Sequence, residues 1–167
     1  MNKISRIVAI FALLVTAAFA SVQSHQGTTF DAPVVLTTNG PEAGTTTQGK
    51  PYTETVYESS LQNDDTYLVA VSEYGFQIAP NSASTFTDGF ASGINGEVKQ
   101  RNAVTVSGVA AESSVIEAVK NGRTFRFYLV AVPTGNKVYA YAFGTWMDTA
   151  GTDSAAVKAF FLSISIQ

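Results

Sequence analysis

Nucleophilic catalysis needs a nucleophile beside a rigidly held base. His25 is the one histidine among the 167 residues, and cysteine is absent. His25 falls in a polar stretch without periodicity (21–29, SVQSHQGTT), which reads as a flexible leader, so a Ser–His or Cys–His arrangement is not expected. Paired carboxylates suffice for glycoside hydrolysis. Glu54, Glu58, Glu73, Glu112 and Glu117 are the candidates, but their spacing gives no two of them a common pocket. Phosphate-cradling glycine loops, zinc-ligand spacings and EF-hand loops are all missing, so neither a cofactor nor a metal is expected. Asp64-Asp65 reads as a solvated hairpin tip rather than a cation site.

What remains is recognition chemistry. Arg126, Tyr128, Tyr139, Tyr141, Phe143 and Glu117 combine aromatic rings, polar tips and one ion pair, and Tyr and Arg are enriched at binding hot spots. The elements that position them can be placed by register. Asn121-Gly122 between two apolar runs is the signal for a type I′ hairpin, because both central residues need positive φ. A two-residue loop makes Lys120 face Arg123, and further in Glu117 faces Arg126, Ile116 faces Phe127 and Val115 faces Tyr128. The opposite charges of Glu117 and Arg126 support that register. A four-residue turn at 133–136 would then place Val132 opposite Lys137, Tyr128 opposite Tyr141, Val130 opposite Tyr139 and Phe125 opposite Gly144.

Two unlike faces follow. One carries Ile116, Phe125, Phe127, Leu129, Ala140, Ala142 and Gly144, and it is expected to receive a terminal helix through Ala156, Phe160 and Ile164. The other carries the six candidate residues. Either it is covered by a helix over 81–95, whose Phe86, Phe90 and Ile94 recur at i, i+4 and i+8, or it lines a groove. Gly89 and Gly93 each cost that helix about 1 kcal/mol relative to Ala.

Elsewhere, 30–36 reads as a short edge strand containing Pro33. The Gly-, Thr- and Pro-rich 37–51 reads as a long loop. Strands are expected at 52–61 and 66–74 around a turn at 62–65, and at 96–106 and 111–119 around Ser107-Gly108. After Trp146 a polar loop ends at Thr152 or Asp153, either of which could cap the last helix.

Residues 1–20 have the layout of a secretory signal: Lys3 and Arg6, an apolar run over 7–19, and Ala18-Phe19-Ala20 as the cleavage site. The apolar run is short for a membrane span. Export to the periplasm or medium is therefore expected, with residues 21–29 as leader, 30–167 as a single domain, and no integral span after cleavage. Without cysteine there is neither a lipid anchor nor a disulfide. Removing Lys3 and Arg6 takes ten basic residues to eight against thirteen acidic ones, a net charge of about −5. With no basic cluster, neither nucleic acid nor an anionic membrane surface is an expected partner.

A set of short motifs resembles the secreted PsbP/DcrB-like group, which also includes the Ran-binding Mog proteins. They are Phe30-x-x-Pro33, Tyr67-Leu68-Val69, the run from Val106-Ser107-Gly108 into a Glu112-bearing strand, Arg126-Phe127-Tyr128-Leu129, Lys137-Val138-Tyr139-Ala140 and Phe160-Phe161-Leu162-Ser163. The resemblance implies an antiparallel sheet with helices packed on its faces and a non-catalytic accessory role. The expectation is thus a single α+β domain with an antiparallel sheet of about six to seven strands and helices on its faces. Its expected role is an exported, non-catalytic binding or accessory domain of the bacterial cell envelope, taking an unknown protein or a small apolar or aromatic ligand. The alternatives are a secreted carboxylate-dependent hydrolase and a purely structural envelope component.

Overall fold

The computed structural model describes residues 21–61, 65–148 and 155–167. The expected signal segment, the cap at Thr152 or Asp153, and most of the 62–65 turn lie outside those residues. The architecture is mostly β, with 62% of the described residues in strands and 14% in two helices. That corrects the α+β expectation: two sheets form the framework, and each of the two short helices covers only a patch of the large one.

The large sheet has seven antiparallel strands in the order β3-β4-β5-β9-β8-β7-β6. They are β3 (Thr37–Thr45), β4 (Pro51–Ser60), β5 (Thr66–Tyr74), β6 (Gly96–Val106), β7 (Val109–Lys120), β8 (Arg123–Thr134) and β9 (Lys137–Trp146). A three-stranded sheet, β1-β2-β10, joins β1 (Ser21–His25) and β2 (Thr28–Ala32) to β10 (Ser165–Ile166). The helices are α1 (Ser82–Gly93) and α2 (Ala155–Leu162). Among the described residues, no helix is long and apolar enough to cross a membrane.

The β7–β8 hairpin turns at Asn121 and Gly122, both at positive φ, and Glu117 faces Arg126 as expected. The next turn differs. Thr134 faces Lys137, so the loop has two residues, Gly135 and Asn136, and only Gly135 has positive φ. That is the residue pattern of a type II′ connection. Pro133 can lie inside β8 because the β7 ladder has already stopped at Glu112–Ala131. The register therefore moves by two, placing Tyr128 opposite Phe143 and Phe127 opposite Gly144. An even shift keeps every side chain on its face.

Two stretches read as irregular are strands. The segment 21–29 supplies β1 and the start of β2, and 37–45 is the edge strand β3. The first strand expected at 30–36 correspondingly ends at Ala32. Both outer edges of the large sheet are interrupted, β3 between Asn39 and Glu42 around Pro41, and β6 between Val98 and Gln100 at Lys99. Irregularities, Pro and Lys at an edge all hinder further strands from adding there.

The helices also exchange the places expected of them. Phe86, Phe90 and Ala91 of α1, with Ile94 just after it, group with Ile116, Phe127, Leu129, Ala140 and Ala142. Phe160 of α2 instead meets Phe30, Tyr67 and Phe161, with ring centroids 5.0–5.8 Å apart. Connectivity explains the exchange. β5 and β6 run parallel at opposite sides of β9, β8 and β7, and such crossovers are overwhelmingly of one hand. Handedness, which composition does not encode, selects the side on which α1 passes.

Candidate functional site

The tyrosine-bearing face is divided in two. Over its β4–β5–β9 part lie the small sheet and α2, and there Tyr139, Tyr141 and Phe143 are buried in the main core. Tyr141 is 0% exposed, and its hydroxyl bonds to Thr28 Oγ1, which in turn donates to the Ser165 carbonyl at 3.0 Å. Tyr139 donates to the Gln26 carbonyl at 3.0 Å. Burial pushes the Tyr141 hydroxyl well above its ordinary acidity range, so it stays a neutral donor. In Tyr67, burial and then Asp65 push the hydroxyl up to about 12. Asp65 is itself buried, not the solvated tip that its sequence position suggests.

The other part of the face, over β6, β7 and β8, is open. Tyr128, Val130 and Val115 are half-buried there and floor a groove of about 540 Å³. Gln100, Asn102 and Ser113 form one side. Val157, Lys158, Phe161 and Leu162 of α2 form the other, and Leu162 is 86% exposed. Glu117 and Arg126 lie two positions along their strands from Val115 and Tyr128, so they share this face. Their ion pair has Arg126 Nε 2.9 Å from Glu117 Oε1. Glu117 first, and then the Tyr128 hydroxyl, hold the guanidinium proton more tightly than usual.

Of the six expected site residues, then, Tyr128 lines the groove, Arg126 and Glu117 share its face without lining it, and Tyr139, Tyr141 and Phe143 are core. The α2 wall was missed. Helix 155–162 was expected over the opposite face, so Phe161 and Leu162 were not candidates, and no periodicity argument would have moved them.

The carboxylates separate into two groups. Glu73 pairs with Lys137, Glu112 with Arg101 and Glu117 with Arg126. Glu54 and Glu58 do share a hollow, of about 240 Å³, with Asn39 and Glu42. Glu42 faces Glu54 across the ladder, Ser72 donates to Glu54 at 2.8 Å, and Asn39 donates to Glu58 at 2.8 Å. Reading 37–51 as a loop had hidden Glu42. Among the described residues, no group of three His, Asp or Glu side chains is placed to hold a metal ion.

His25 is not in a leader but on β1, stacked on Tyr57 with ring centroids 4.1 Å apart. Its Nε2 is buried without a hydrogen-bond partner among the described residues, and burial lowers its pKa.

No family model matches the chain, and no curated protein matches it. A crystal structure from Bacteroides thetaiotaomicron VPI-5482 is similar at a TM-score of 0.48 and 8% identity, over 84% of this chain and 45% of that one. The chain thus spans under half the length of the protein it matches.

Proposed function

We propose that this chain is an exported, non-catalytic binding module of the bacterial cell envelope, and that its site is the groove between β6–β8 and α2. The observation that supports this reading is the uncovered strip of the tyrosine face, where an apolar floor meets the 86% exposed Leu162. A core layer would be covered, whereas concave apolar sites with a few polar groups are where small ligands bind. Export is inferred from the signal-like residues 1–20. N-phenyl-1-naphthylamine, a neutral apolar dye, is expected to brighten on binding the protein. Leu162→Asp should weaken that binding with stability unchanged. Tyr128→Ala should weaken it by about 1–2 kcal/mol, in the range of an aromatic anchor. Absence of dye binding by the wild type, or unaltered binding by both variants, would refute the groove as the site.

A second reading, a carboxylate-dependent hydrolase, is supported by the hollow that Glu42, Glu54 and Glu58 share. Profiling on glycans and esters tests it. Wild-type turnover abolished by Glu54→Gln is required, and no detectable turnover ends this reading. A stable oligomer on light scattering that binds no dye would instead favour the structural envelope role.

A further inference from the structure

We infer that the groove takes an aliphatic chain with a small, uncharged, hydroxyl-bearing head, the chemistry of a monoacylglycerol, an inference that rests on the groove being the site. Gln100 and Asn102 stand two positions apart on β6, and Asn102 faces Ser113 across the β6–β7 ladder. Strand alternation puts all three on one face, where they form a polar wall. The opposite wall is apolar, with Phe161 and the 86% exposed Leu162 on α2. Between the walls lie Val115, Val130 and the Tyr128 ring. A ligand seated there has one polar flank and one apolar flank.

Charge and hydrogen-bonding capacity select the head. Lys158, the one charged residue among the described lining residues, already has an interaction partner. Glu117 and Arg126, on the same face, engage each other. A charged head would therefore lose hydration without gaining a free counter-ion. Gln100 and Asn102 each carry an acceptor carbonyl and an NH₂ donor, and the Ser113 hydroxyl both donates and accepts. Among the described residues, none of these three side chains is hydrogen-bonded, so their capacity is open to a ligand. A hydroxyl can use either kind of group, whereas a carboxylate uses only the donors and an ammonium only the acceptors. Strand geometry sets Gln100 and Asn102 about 6.5 Å apart at their backbones, within reach of adjacent hydroxyls on one head. The volume of about 540 Å³ lies within the roughly 300–1,000 Å³ typical of small-molecule sites and suits a single chain rather than a folded partner.

The test compares decanoylglycerol, decanoate and decyltrimethylammonium by titration calorimetry below their micelle concentrations, using the protein expressed from the full chain. Decanoylglycerol should bind tightest, with an affinity that rising salt does not weaken. Octanoylglycerol, two methylenes shorter, should bind roughly ten-fold more weakly. Asn102→Leu should weaken decanoylglycerol by roughly two- to ten-fold, the loss of one hydrogen bond, and should tighten binding of the naphthylamine dye because the wall becomes apolar. Gln100→Leu should act in the same direction, and Asn102→Ser, which keeps a donor and an acceptor, should lose less than Asn102→Leu. Gln100 and Asn102 are exposed, so these variants are expected to fold, which circular dichroism checks. If either charged amphiphile binds as tightly as decanoylglycerol, the head-group assignment is overturned, while dye binding leaves the groove reading intact. The same holds if neither leucine variant moves the decanoylglycerol affinity. Absence of binding by every amphiphile and by the dye overturns both. Depletion of the protein onto phosphatidylglycerol vesicles without binding of monomeric decanoylglycerol would mean a membrane surface, and capture only of extended peptides a protein partner. Either result also overturns the assignment.

Discussion

Thr28 and Tyr141 are expected to answer unequally to loss of their shared hydrogen bond. Thr28 Oγ1 donates to the Ser165 carbonyl, so it is the acceptor for the Tyr141 hydroxyl, and the pair links β2, β9 and β10 inside the core. Tyr141→Phe removes one donor and leaves Thr28 with its bond to Ser165. The cost should be that of one net hydrogen bond, about 0.5–1.5 kcal/mol. Thr28→Val, nearly the same in shape, removes the acceptor for a hydroxyl in a residue that is 0% exposed and the donor to Ser165 together. A buried polar group left unpaired costs about 1–3 kcal/mol, so Thr28→Val should cost roughly 2–4 kcal/mol. In the double variant the orphaned hydroxyl is gone, and the total should fall below the sum of the singles. Urea unfolding with a constant m value measures all three. Tyr141→Phe costing as much as Thr28→Val, or strict additivity, would refute the assigned direction of donation.

Other perturbations follow from the same packing. The His25 pKa is lowered in the fold from 6.5, so below about pH 6.5 the unfolded chain binds the proton that the folded chain resists. Stability should therefore fall as pH drops through the unfolded value toward the depressed one. His25→Phe should flatten that part of a urea-midpoint profile against pH, and an unchanged profile would refute the role of burial. At Gly144 an added Cβ would lie 2.5 Å from Phe125 and 2.7 Å from Phe127. Gly144→Ala should cost about 1–3 kcal/mol by overpacking, read as a lower melting temperature, and a neutral result would show that the rings can give way.

The sheet was legible wherever a turn required a particular backbone. Asn121-Gly122 set the β7–β8 pairing residue by residue, and Ser107-Gly108, also at positive φ, closes the β6–β7 hairpin. Pro133 suggested a longer turn than the two residues present, because nothing local shows that the β7 ladder has ended before it. β1 and the start of β2 escaped notice because their inward positions include Gln23 and Thr28, which break the apolar alternation. The structure holds them by hydrogen bonds instead. Gln23 donates to the Val34 carbonyl at 2.7 Å and accepts from the Leu36 amide at 3.0 Å. β3 is exposed along nearly its whole length, so it carries no periodicity to read. The candidate site was half legible. Strand alternation put Arg126, Tyr128 and Glu117 on one face with Tyr139, Tyr141 and Phe143, but which half of that face is covered depends on α2 and on β1 and β2, whose Gln26 and Thr28 region lies 113 positions from the tyrosines it bonds.

The small sheet also sets an order of assembly. β6, β7, β8 and β9 are joined by successive two-residue turns, so each finds its neighbour as soon as it is made. Thr28 and Ser165 are separated by 137 positions, and β2 has no β10 beside it until residues 165 and 166 exist. During synthesis Tyr141 is therefore complete well before the Thr28–Ser165 link that anchors its hydroxyl. The chain spends that interval without its final seam, and the two ends of the sequence close the core last.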